Sequence, residues 1–472
     1  MSNKSDIDIK SLIELGNTLD KKGDKLLAAK TYQKAFELDN KNTTALTNLS
    51  IIHYELNNLD ISENFSQKLL KLDKNNSSVL INLGNIFYQK QDLSKAASFY
   101  KKADASKKNY YHAKINLANL YSEQKKYSKA ISFAKEAFAI DKSQKMPLMI
   151  LGTSYFELDE LDDSLDHLQN ALKLDSNDPW IYNYISQIYQ KKGLWKKALE
   201  NAFKAVEKSD GKDDNQHINF CYLIYESTLE DKDSFYQTFL PKWEKFAPHN
   251  NIVFHAVNAL KNNTLDRANN DYVRAIFDIF APSFEQTLKK LSYQAPMLIE
   301  KELKQINRKN IAILDLGCGT GLCGKFLKKY TGKNSLTGVD ISPQMLLEAK
   351  QKNVYNQLIE QDIETYLSSE KNLFDLIILA DVITYFGNIE KLFSLLSKRL
   401  AKNGIILFTI TKNTSEDKDY FLHSSGRFSH SKSYIQNILK SHNFQTENFY
   451  EHSLRTEGDK EVCGYFFHIK RQ

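Results

Sequence analysis

The chain has 472 residues, of which 42% are hydrophobic and 26% are charged, and its formal net charge is +6. This composition is typical of folded proteins and excludes a disordered chain, and the length predicts about two to four domains. No apolar run reaches the ~18 residues that a bilayer-spanning helix needs, and Met1–Lys10 holds no apolar segment of a signal peptide. The four cysteines show no disulfide or zinc spacing, so we expect a cytoplasmic protein without a membrane span or a metal site.

The basic residues argue against a nucleic-acid-binding protein. A net charge of +6 is small for this length, whereas nucleic-acid binders carry a marked basic excess. The chain has seven arginines, and the first of them is Arg267. The N-terminal half therefore offers no guanidinium group to phosphates or base edges.

The N-terminal half is an internal repeat. The sequence aligns with itself at a period of 34 residues, without a gap, in six units: 9–42, 43–76, 77–110, 111–144, 145–178 and 179–212. Two columns hold only small residues, as expected where two helices approach closely. The eighth position holds Gly16, Ser50, Gly84, Ala118, Gly152 and Ser186, and the twentieth holds Ala28, Ser62, Ala96, Ala130, Ser164 and Ala198. A fixed period of this length indicates a solenoid of helix pairs.

These units resemble the tetratricopeptide repeat (TPR) family. The resemblance implies an α-solenoid, in which helix pairs stack into a superhelix with a concave groove. We expect a degenerate helix pair over 213–249 to cap the array, so that the repeat domain covers 9–249. Residues 250–270 are then the connector to the second half.

The groove is the predicted docking site for a protein or peptide partner. In the family, the sixth and ninth positions of a unit face the groove. Side-chain amides there carry both a donor and an acceptor, which suits the backbone of an extended peptide. The candidate partner-binding residues are Asn48, Asn82, Asn116, Asn85 and Asn119. In the alternative interpretation, these asparagines only match the repeat pattern.

From Ile311 onward, predicted strands and helices alternate. The predicted strands are 311–316, 335–340, 355–361, 374–380, 404–411, 444–451 and 462–470, and the predicted helices are 321–330, 343–352, 389–401 and 431–442. This alternation predicts an α/β domain with a mostly parallel, doubly wound sheet. Such sheets bind ligands at the carboxyl ends of their strands.

A glycine-rich loop, Leu314–Gly321, reads Leu-Asp-Leu-Gly-Cys-Gly-Thr-Gly between a predicted strand and a predicted helix. Its glycines let the backbone turn sharply and approach a ligand closely. Asp340 ends the second strand, where its carboxylate can accept hydrogen bonds from both ribose hydroxyls. An NAD site shares this feature, although Leu322 stands where a dinucleotide loop has its third glycine.

Together with Val339–Leu346 and Gln361–Ile363, this loop resembles the class I S-adenosylmethionine-dependent methyltransferases. The whole chain resembles bacterial predicted methyltransferases that contain TPR repeats. The resemblance implies a Rossmann-like domain over 271–472 with a mostly parallel seven-stranded sheet, lid helices at 271–304, and S-adenosylmethionine as cofactor. Its glycine loop would hold the methionyl part, and strand-end carboxylates would hold the ribose and the adenine amino group. The implied cofactor-binding residues are Asp315, Gly317, Gly319, Gly321, Asp340, Ile341, Met345, Asp362 and Ile363.

Methyl transfer is a displacement at the sulfonium carbon, which requires alignment and exclusion of water. An acceptor that carries a proton also needs a base, and the candidate catalytic residues are Asp381, Tyr385 and His430. Candidate substrate-binding residues are Arg427 and Arg455, which suit an acidic group, together with Tyr272 and Tyr293. Each of these residues has an alternative role in packing or in closing the fold.

Three functions are compatible with these motifs. The first is a methyltransferase whose repeat array docks a protein partner or substrate. The second is an interaction scaffold with a vestigial methyltransferase fold, and the third is a small-molecule methyltransferase that uses its repeats for assembly. The methyl acceptor, its reacting atom and the oligomeric state are not determined by the motifs.

Overall fold

The computed structural model describes residues 8–107, 110–229, 235–306, 308–332, 335–413, 417–457 and 460–471. The chain divides into two compact units, Met1–Gly193 and Leu194–Gln472. Within the described residues, no helix is both long enough and apolar enough to cross a bilayer.

The first unit consists of antiparallel helix pairs. The helices that open the pairs begin 34 residues apart, where the sequence period places the start of each repeat. The helices are α1 (Ile9–Lys21), α2 (Lys25–Leu38), α3 (Thr43–Glu55), α4 (Leu59–Leu72), α5 (Ser77–Gln89), α6 (Leu93–Ser106), α7 (Tyr111–Glu123), α8 (Tyr127–Ile140), α9 (Lys145–Glu157), α10 (Leu161–Leu174) and α11 (Pro179–Lys191). The predicted TPR solenoid is therefore confirmed.

The small residues of the repeat make room for large side chains of the paired helix. A Cβ atom on Gly84 would lie 2.3 Å from the ring of Tyr100, and Gly16 faces Tyr32 at the same distance. Ordinary contacts between carbon atoms are 3.5–4.0 Å. Glycine therefore allows an aromatic ring to pack directly on the backbone of its partner helix.

A turn with one left-handed residue joins the two helices of each pair. The φ angle at the fifteenth position of the repeat ranges from 57° at Lys125 to 87° at Gly23. The amide of Lys125, for example, donates to the carbonyl of Ser122 at 2.9 Å and so closes the end of the first helix. The residues with this geometry are Gly23, Asn57, Gln91, Lys125, Asp159 and Gly193. The period thus fixes a backbone conformation as well as side-chain packing.

The second unit opens with helices that precede the predicted methyltransferase domain. They are α12 (Trp195–Lys208), α13 (Asp214–Leu229), α14 (Phe235–Phe246) and α15 (Asn251–Leu260). Helix α15 occupies half of the predicted connector and buries Ile252, Val253 and His255, so this segment is part of a packed core. The division into units falls within the predicted sixth repeat, and the predicted domain boundaries stay a prediction.

The remaining elements alternate between helices and strands. Helices α16 (Asn270–Phe280), α17 (Phe284–Lys290) and α18 (Ala295–Ile306) come first, with a 3₁₀ turn at Ala281–Ser283. There follow β1 (Ile313–Leu316), α19 (Gly324–Thr331), β2 (Leu336–Asp340), α20 (Pro343–Gln351), β3 (Gln357–Glu360), α21 (Ile363–Ser369), β4 (Phe374–Leu379), a 3₁₀ turn (Ile383–Tyr385), α22 (Glu390–Arg399), β5 (Leu400–Thr411), β6 (Tyr420–Leu422), β7 (Phe428–His430), α23 (Lys432–Ser441), β8 (Phe444–Glu457) and β9 (Lys460–Arg471).

Seven of the described strands form one sheet in the order β3-β2-β1-β4-β5-β9-β8. The first five strands are parallel, whereas β9 runs antiparallel to both β5 and β8. Apolar clusters cover both faces of the sheet, one around Phe393 and Ile435 and the other around Ile299 and Leu327. The predicted mostly parallel seven-stranded sheet is confirmed. The reversal of chain order at β1 and β4 is where such a sheet leaves a crevice for ligands.

Two elements differ from the sequence-based expectation. Helix α21 has seven residues and is capped by the Asp362 side chain, which accepts from the Thr365 amide at 3.0 Å. The β6–β7 hairpin has three-residue strands, with Tyr420 opposite His430. Both elements are too short to give a clear hydrophobic period, so the sequence pattern does not predict them.

Candidate active site

A pocket lies at the carboxyl ends of β1, β2 and β4, beneath helices α16 and α17. About 950 Å³ of space there is free of protein atoms, including the part that is open to solvent. Its lining includes the acidic side chains Asp340, Asp362 and Asp381 and the basic side chains Arg267, Arg427 and Arg455. The predicted strand-end site is therefore brought together by the fold.

The glycine loop between β1 and α19 has an unusual backbone. Gly317, Gly319 and Gly321 have φ angles of 66°, 54° and 80°, in the left-handed region that favours glycine. A Cβ atom on Gly317 would also lie 2.4 Å from the side chain of Val382. Gly317 and Gly319 line the pocket, so the wall there is backbone without side chains.

Asp340 ends β2 inside the pocket and is only 7% exposed. Its Oδ2 atom accepts from the Gly319 amide at 2.8 Å, and its Oδ1 atom accepts from the Ser342 amide at 2.9 Å. Burial raises the pKa of the Asp340 carboxyl to about 6, although these amides favour its charged form. Backbone amides thus fix the plane of the carboxylate at the end of β2.

Asp315 lies behind the glycine loop and does not line the pocket. Its Oδ2 atom accepts from the Tyr355 hydroxyl at 2.7 Å. Burial raises the pKa of the Asp315 carboxyl to about 7, and the negative charge of Asp340 adds to the rise. Two carboxylates therefore share a poorly solvated region, which disfavours their ionisation.

The residues predicted to contact a nucleoside base divide into two groups. Ile341 and Ile363 line the pocket, and so does Asp362. Met345 is fully buried behind them, and its amide donates to the Ser342 hydroxyl at 3.1 Å. Met345 thus supports the wall of the pocket without lining it.

Helices α16 and α17 cover the pocket with aromatic side chains, Phe277 and Phe284. Three contacts tie these helices to the glycine loop and to the β2–α20 region. The Arg274 Nε atom donates to the Ile341 carbonyl at 3.2 Å, and the Ser342 hydroxyl donates to Asp278 at 2.5 Å. In the third contact, Glu285 accepts from the Thr320 hydroxyl at 3.0 Å and pairs with Lys352. The cover is thus attached at several points.

Asp381 follows β4 with a φ angle of 57°, which is uncommon for a residue with a side chain. Its amide donates to the Thr409 hydroxyl at 2.8 Å. Its carboxylate accepts from Arg455 Nη1 at 2.9 Å and 3.1 Å, and that arginine side chain is only 3% exposed. Tyr293, Tyr385, Arg427 and Arg455 also line the pocket, and their catalytic and substrate-binding roles stay predictions.

Two candidate residues lie elsewhere. His430 is fully buried, with Nε2 3.0 Å from the Gly387 carbonyl, and burial lowers the pKa of its imidazole to about 4. Tyr272 is buried against His255, with ring centroids 4.1 Å apart. Neither residue lines the pocket, which corrects the expectation of a base at His430 and a substrate contact at Tyr272. Both positions carry packing roles because the fold closes over them.

The candidate groove asparagines mostly bond within the repeat array. Asn82 is 6% exposed, and its amide donates to Ser62 and Ser66 at 3.2 Å each, as well as to Ser50. Asn85 accepts from Tyr100 and Asn116, and the Asn48 amide donates to Asn17 at 3.1 Å. Asn119 is exposed. The geometry thus favours the alternative interpretation at Asn82, whose amide is not presented to a groove.

Four amides of the glycine loop bond within the protein. Those of Gly317 and Cys318 donate to the Val339 carbonyl at 2.8 Å and 3.1 Å, and the Gly319 amide donates to Asp340. The Gly321 amide donates to the Cys318 carbonyl at 2.8 Å. A phosphate-binding loop instead aims its amides at the anion. These four amides are therefore not aimed at a phosphate.

Residues 313–404 match the family model of a methyltransferase domain. The chain carries a methyltransferase domain. Tetratricopeptide repeat models match residues 9–42, 77–110, 112–140 and 152–193. S-adenosylmethionine is the cofactor of the methyltransferase domain, and the site fits it, because buried carboxylates beside a bare loop suit a nucleoside that carries a sulfonium cation and no phosphate.

Similar proteins match parts of the chain. Ribosomal protein L11 methyltransferase of Saccharophagus degradans is 37% identical over 65 residues, which are 14% of this chain and 22% of that protein. The structure of magnesium protoporphyrin IX methyltransferase from Synechocystis PCC 6803 with bound SAM is 17% identical, with a TM-score of 0.34 over 45% of this chain and 100% of that one. YrrB, a TPR protein with an unusual peptide-binding site, is 19% identical, with a TM-score of 0.34 over 38% of this chain and 93% of its own. The chain thus spans about a fifth of the length of this curated relative.

Proposed function

We propose that this chain transfers the methyl group of S-adenosylmethionine to an acceptor held in the same pocket, and that its repeat array docks a protein that is the acceptor or accompanies it. The supporting observation is the lining of the pocket. Asp340 and Asp362, at the ends of β2 and β3, are placed to bind a nucleoside, and Arg427 and Arg455 are available to an acceptor.

In this proposal, the strand-end carboxylates hold the cofactor. The Asp340 carboxylate accepts hydrogen bonds from the ribose hydroxyls. Ile341 and Ile363 flank the adenine, and Gly317 and Gly319 give room to the methionyl part. Asp315 lies behind the glycine loop and accepts a hydrogen bond from Tyr355. It therefore influences the cofactor indirectly, by supporting this loop.

When bound, S-adenosylmethionine supplies an electrophilic methyl carbon. The chain's own contribution is to align the acceptor and to exclude water, through Phe277, Phe284 and Tyr293. Tyr385 and Asp381 stay the candidate bases. Since the Asp381 carboxylate already pairs with Arg455, we infer that Asp381 mainly orients this arginine.

Calorimetry with S-adenosylmethionine tests the cofactor site. We expect Asp340→Ala to weaken binding by about a hundredfold or more, because two hydrogen bonds to a charged group are lost. The matched control is Glu447→Ala, which removes a carboxylate that pairs with Lys470 at the opposite edge of the sheet. Equal affinity of the wild type and Asp340→Ala would contradict the proposal.

The class of methyl acceptor is identified by whether proteins or small molecules become labelled. Labelled S-adenosylmethionine is supplied with a proteome freed of small molecules and, separately, with the metabolite fraction. The repeat array favours a protein acceptor. Label only in metabolites would instead favour the small-molecule alternative, which fits a pocket lined by Phe277 and Phe284 of the covering helices α16 and α17. Cofactor binding without transfer to either fraction would favour an interaction scaffold.

A further inference from the structure

Arg267 lines the pocket although it lies well before residue 313, where the match to the methyltransferase model begins. Its Nη2 atom donates to Asp362 and to Asn270, the latter at 2.9 Å, and its Nη1 atom donates to Glu364 at 3.1 Å. The side chains of Asp362 and Glu364 are only 11% and 9% exposed. The guanidinium group thus forms a planar fork between two buried carboxylates, which a lysine cannot reproduce.

The backbone around Arg267 is fixed by the loop that follows β4. The Ala268 amide donates to the Tyr385 carbonyl at 2.9 Å, and the Gly387 amide donates to the Asp266 carbonyl at 2.9 Å. The guanidinium carbon of Arg267 also lies 4.6 Å from the ring centre of Phe386. The backbone hydrogen bonds next to Arg267 and the contact of its guanidinium group with Phe386 therefore restrict the movement of this side chain.

The hydrogen bonds of Asp362 determine what it can still accept. Its Oδ1 atom accepts from the amide of Thr365 at 3.0 Å and from the hydroxyl of Thr365 at 2.9 Å, and its Oδ2 atom accepts from Arg267. An ionised carboxylate has about four acceptor positions. One position therefore remains, on Oδ2, in a residue that lines the pocket.

We propose that Arg267 determines the cofactor specificity of this pocket: it holds Asp362 as an ionised acceptor with one position left, which selects a purine with an exocyclic amino group. This inference rests on the proposed function, because it takes the adenine of S-adenosylmethionine as the base beside Asp362. It assigns a cofactor-recognition role to a residue outside the family domain.

The charge of Asp362 allows the pocket to discriminate between two similar bases, adenine and hypoxanthine. An adenine amino group donates a hydrogen bond to a carboxylate, whereas hypoxanthine presents a carbonyl oxygen that the carboxylate repels. If Asp362 were protonated, its carboxyl group could donate a hydrogen bond to that carbonyl, and the pocket would no longer discriminate adenine from hypoxanthine. Although burial opposes the charged form, Arg267 and the Thr365 amide hold the pKa of Asp362 below its ordinary value. Without Arg267, burial is less opposed, so protonation begins at a higher pH.

The test compares S-adenosylhomocysteine with S-inosylhomocysteine by calorimetry in the full chain. We expect the wild type to prefer the adenosyl compound by about tenfold or more, and Arg267→Gln to reduce this ratio at least about fivefold. We also expect the adenosyl affinity of Arg267→Gln to fall with acidification from a higher pH than in the wild type. Arg267→Lys, which keeps the charge but not the fork, should lie between them.

Lys391→Gln is the matched control, because Lys391 pairs with the same Glu364 at 2.7 Å but is 69% exposed and does not contact Asp362. In Lys391→Gln, the ratio of the affinities for S-adenosylhomocysteine and S-inosylhomocysteine should equal that of the wild type. Thermal melting checks folding, and Arg267→Lys carries the comparison if the glutamine variant does not fold.

The outcomes separate this inference from the proposed function. A wild type that binds neither compound contradicts the cofactor site itself. A wild type that binds both compounds equally, or Arg267 variants that keep the wild-type ratio and pH profile, would overturn the role of Arg267 and leave the cofactor site intact.

Discussion

The Nε2 atom of His255, in helix α15, lies 2.9 Å from the carbonyl oxygen of Gly426, in the turn between β6 and β7. A carbonyl only accepts, so Nε2 carries the proton, and burial lowers the pKa of His255 to about 4, which keeps the ring neutral near pH 7. The next residue, Arg427, lines the pocket. A helix outside the family domain therefore fixes the turn that presents a candidate substrate-binding arginine.

Gly426 gives the first prediction about stability. Its φ angle is 76°, and a Cβ atom there would lie 2.0 Å from the Tyr272 hydroxyl. Gly193 has a similar φ angle of 69°, but nothing lies within 4 Å of its Cβ position. We expect Gly193→Ala to cost about 1 kcal/mol from backbone strain alone, and Gly426→Ala to cost roughly 3 kcal/mol or more. Urea unfolding of both variants measures the difference.

The steric contribution is isolated by a second substitution. Tyr272→Phe removes the hydroxyl that the new Cβ atom would meet, so the double variant should recover part of the loss in Gly426→Ala. Additive losses would show that the clash with Tyr272 is not what makes glycine necessary.

The buried carboxylates predict how stability depends on pH. The pKa values of Asp315 and Asp340 are raised to about 7 and about 6 by burial. Stability from these groups is therefore greatest below the unfolded pKa of about 4, and it is lost as pH rises through the folded values. The thermal midpoint of the ligand-free protein should fall by roughly 5 °C or more between about pH 5 and pH 8.

The same carboxylates predict that cofactor affinity changes in the opposite direction. A sulfonium cation binds better to ionised groups, so affinity for S-adenosylmethionine should rise over about pH 5 to 8 and be accompanied by proton release. Calorimetry in buffers of different ionisation enthalpy counts the protons. Asp315→Asn, which keeps an acceptor for Tyr355, should abolish about half of the release; an unchanged proton count would contradict this assignment.

The left-handed turn of the repeat predicts a stabilising substitution. Lys125 has a φ angle of 57°, which costs a residue with a side chain about 1–2 kcal/mol. We expect Lys125→Gly to stabilise the protein by roughly 0.5–1 kcal/mol after the entropy of glycine is subtracted. Lys129→Gly, within helix α8, should instead destabilise by about 0.5–1 kcal/mol. Chemical unfolding of the two variants should give shifts of opposite sign.

The ion pair between Asp381 and Arg455 predicts a coupled effect. Arg455 is 3% exposed, so Asp381→Asn should destabilise by roughly 2–4 kcal/mol, because the arginine charge loses its carboxylate. Asp381→Asn combined with Arg455→Met should cost less than the sum of the single variants. A double-mutant cycle on unfolding free energy measures this coupling, and simple additivity would count against it.

The sequence alone predicted two kinds of feature: the helix pairs of the repeat, and the residues at the ends of the parallel strands. Helix pairs follow the 34-residue period because their packing depends on residues within one repeat unit, such as Gly84 and Tyr100. Asp340 and the glycine loop were also identified, because strand ends in a parallel sheet converge on one edge. These contacts are fixed by spacing along the chain.

Only the tertiary structure decided which distant groups meet. Arg267 pairs with Asp362 across 95 residues, and His255 bonds to Gly426 across 171. The sequence predicted His430 as a candidate catalytic base, but in the fold this residue is buried against the Gly387 carbonyl. No local period records such pairings, since they depend on how the β6–β7 hairpin and the segment around Arg267 pack on the sheet. The physical reason is that burial and charge pairing are properties of the assembled core, whereas helix and strand patterns are properties of neighbouring residues.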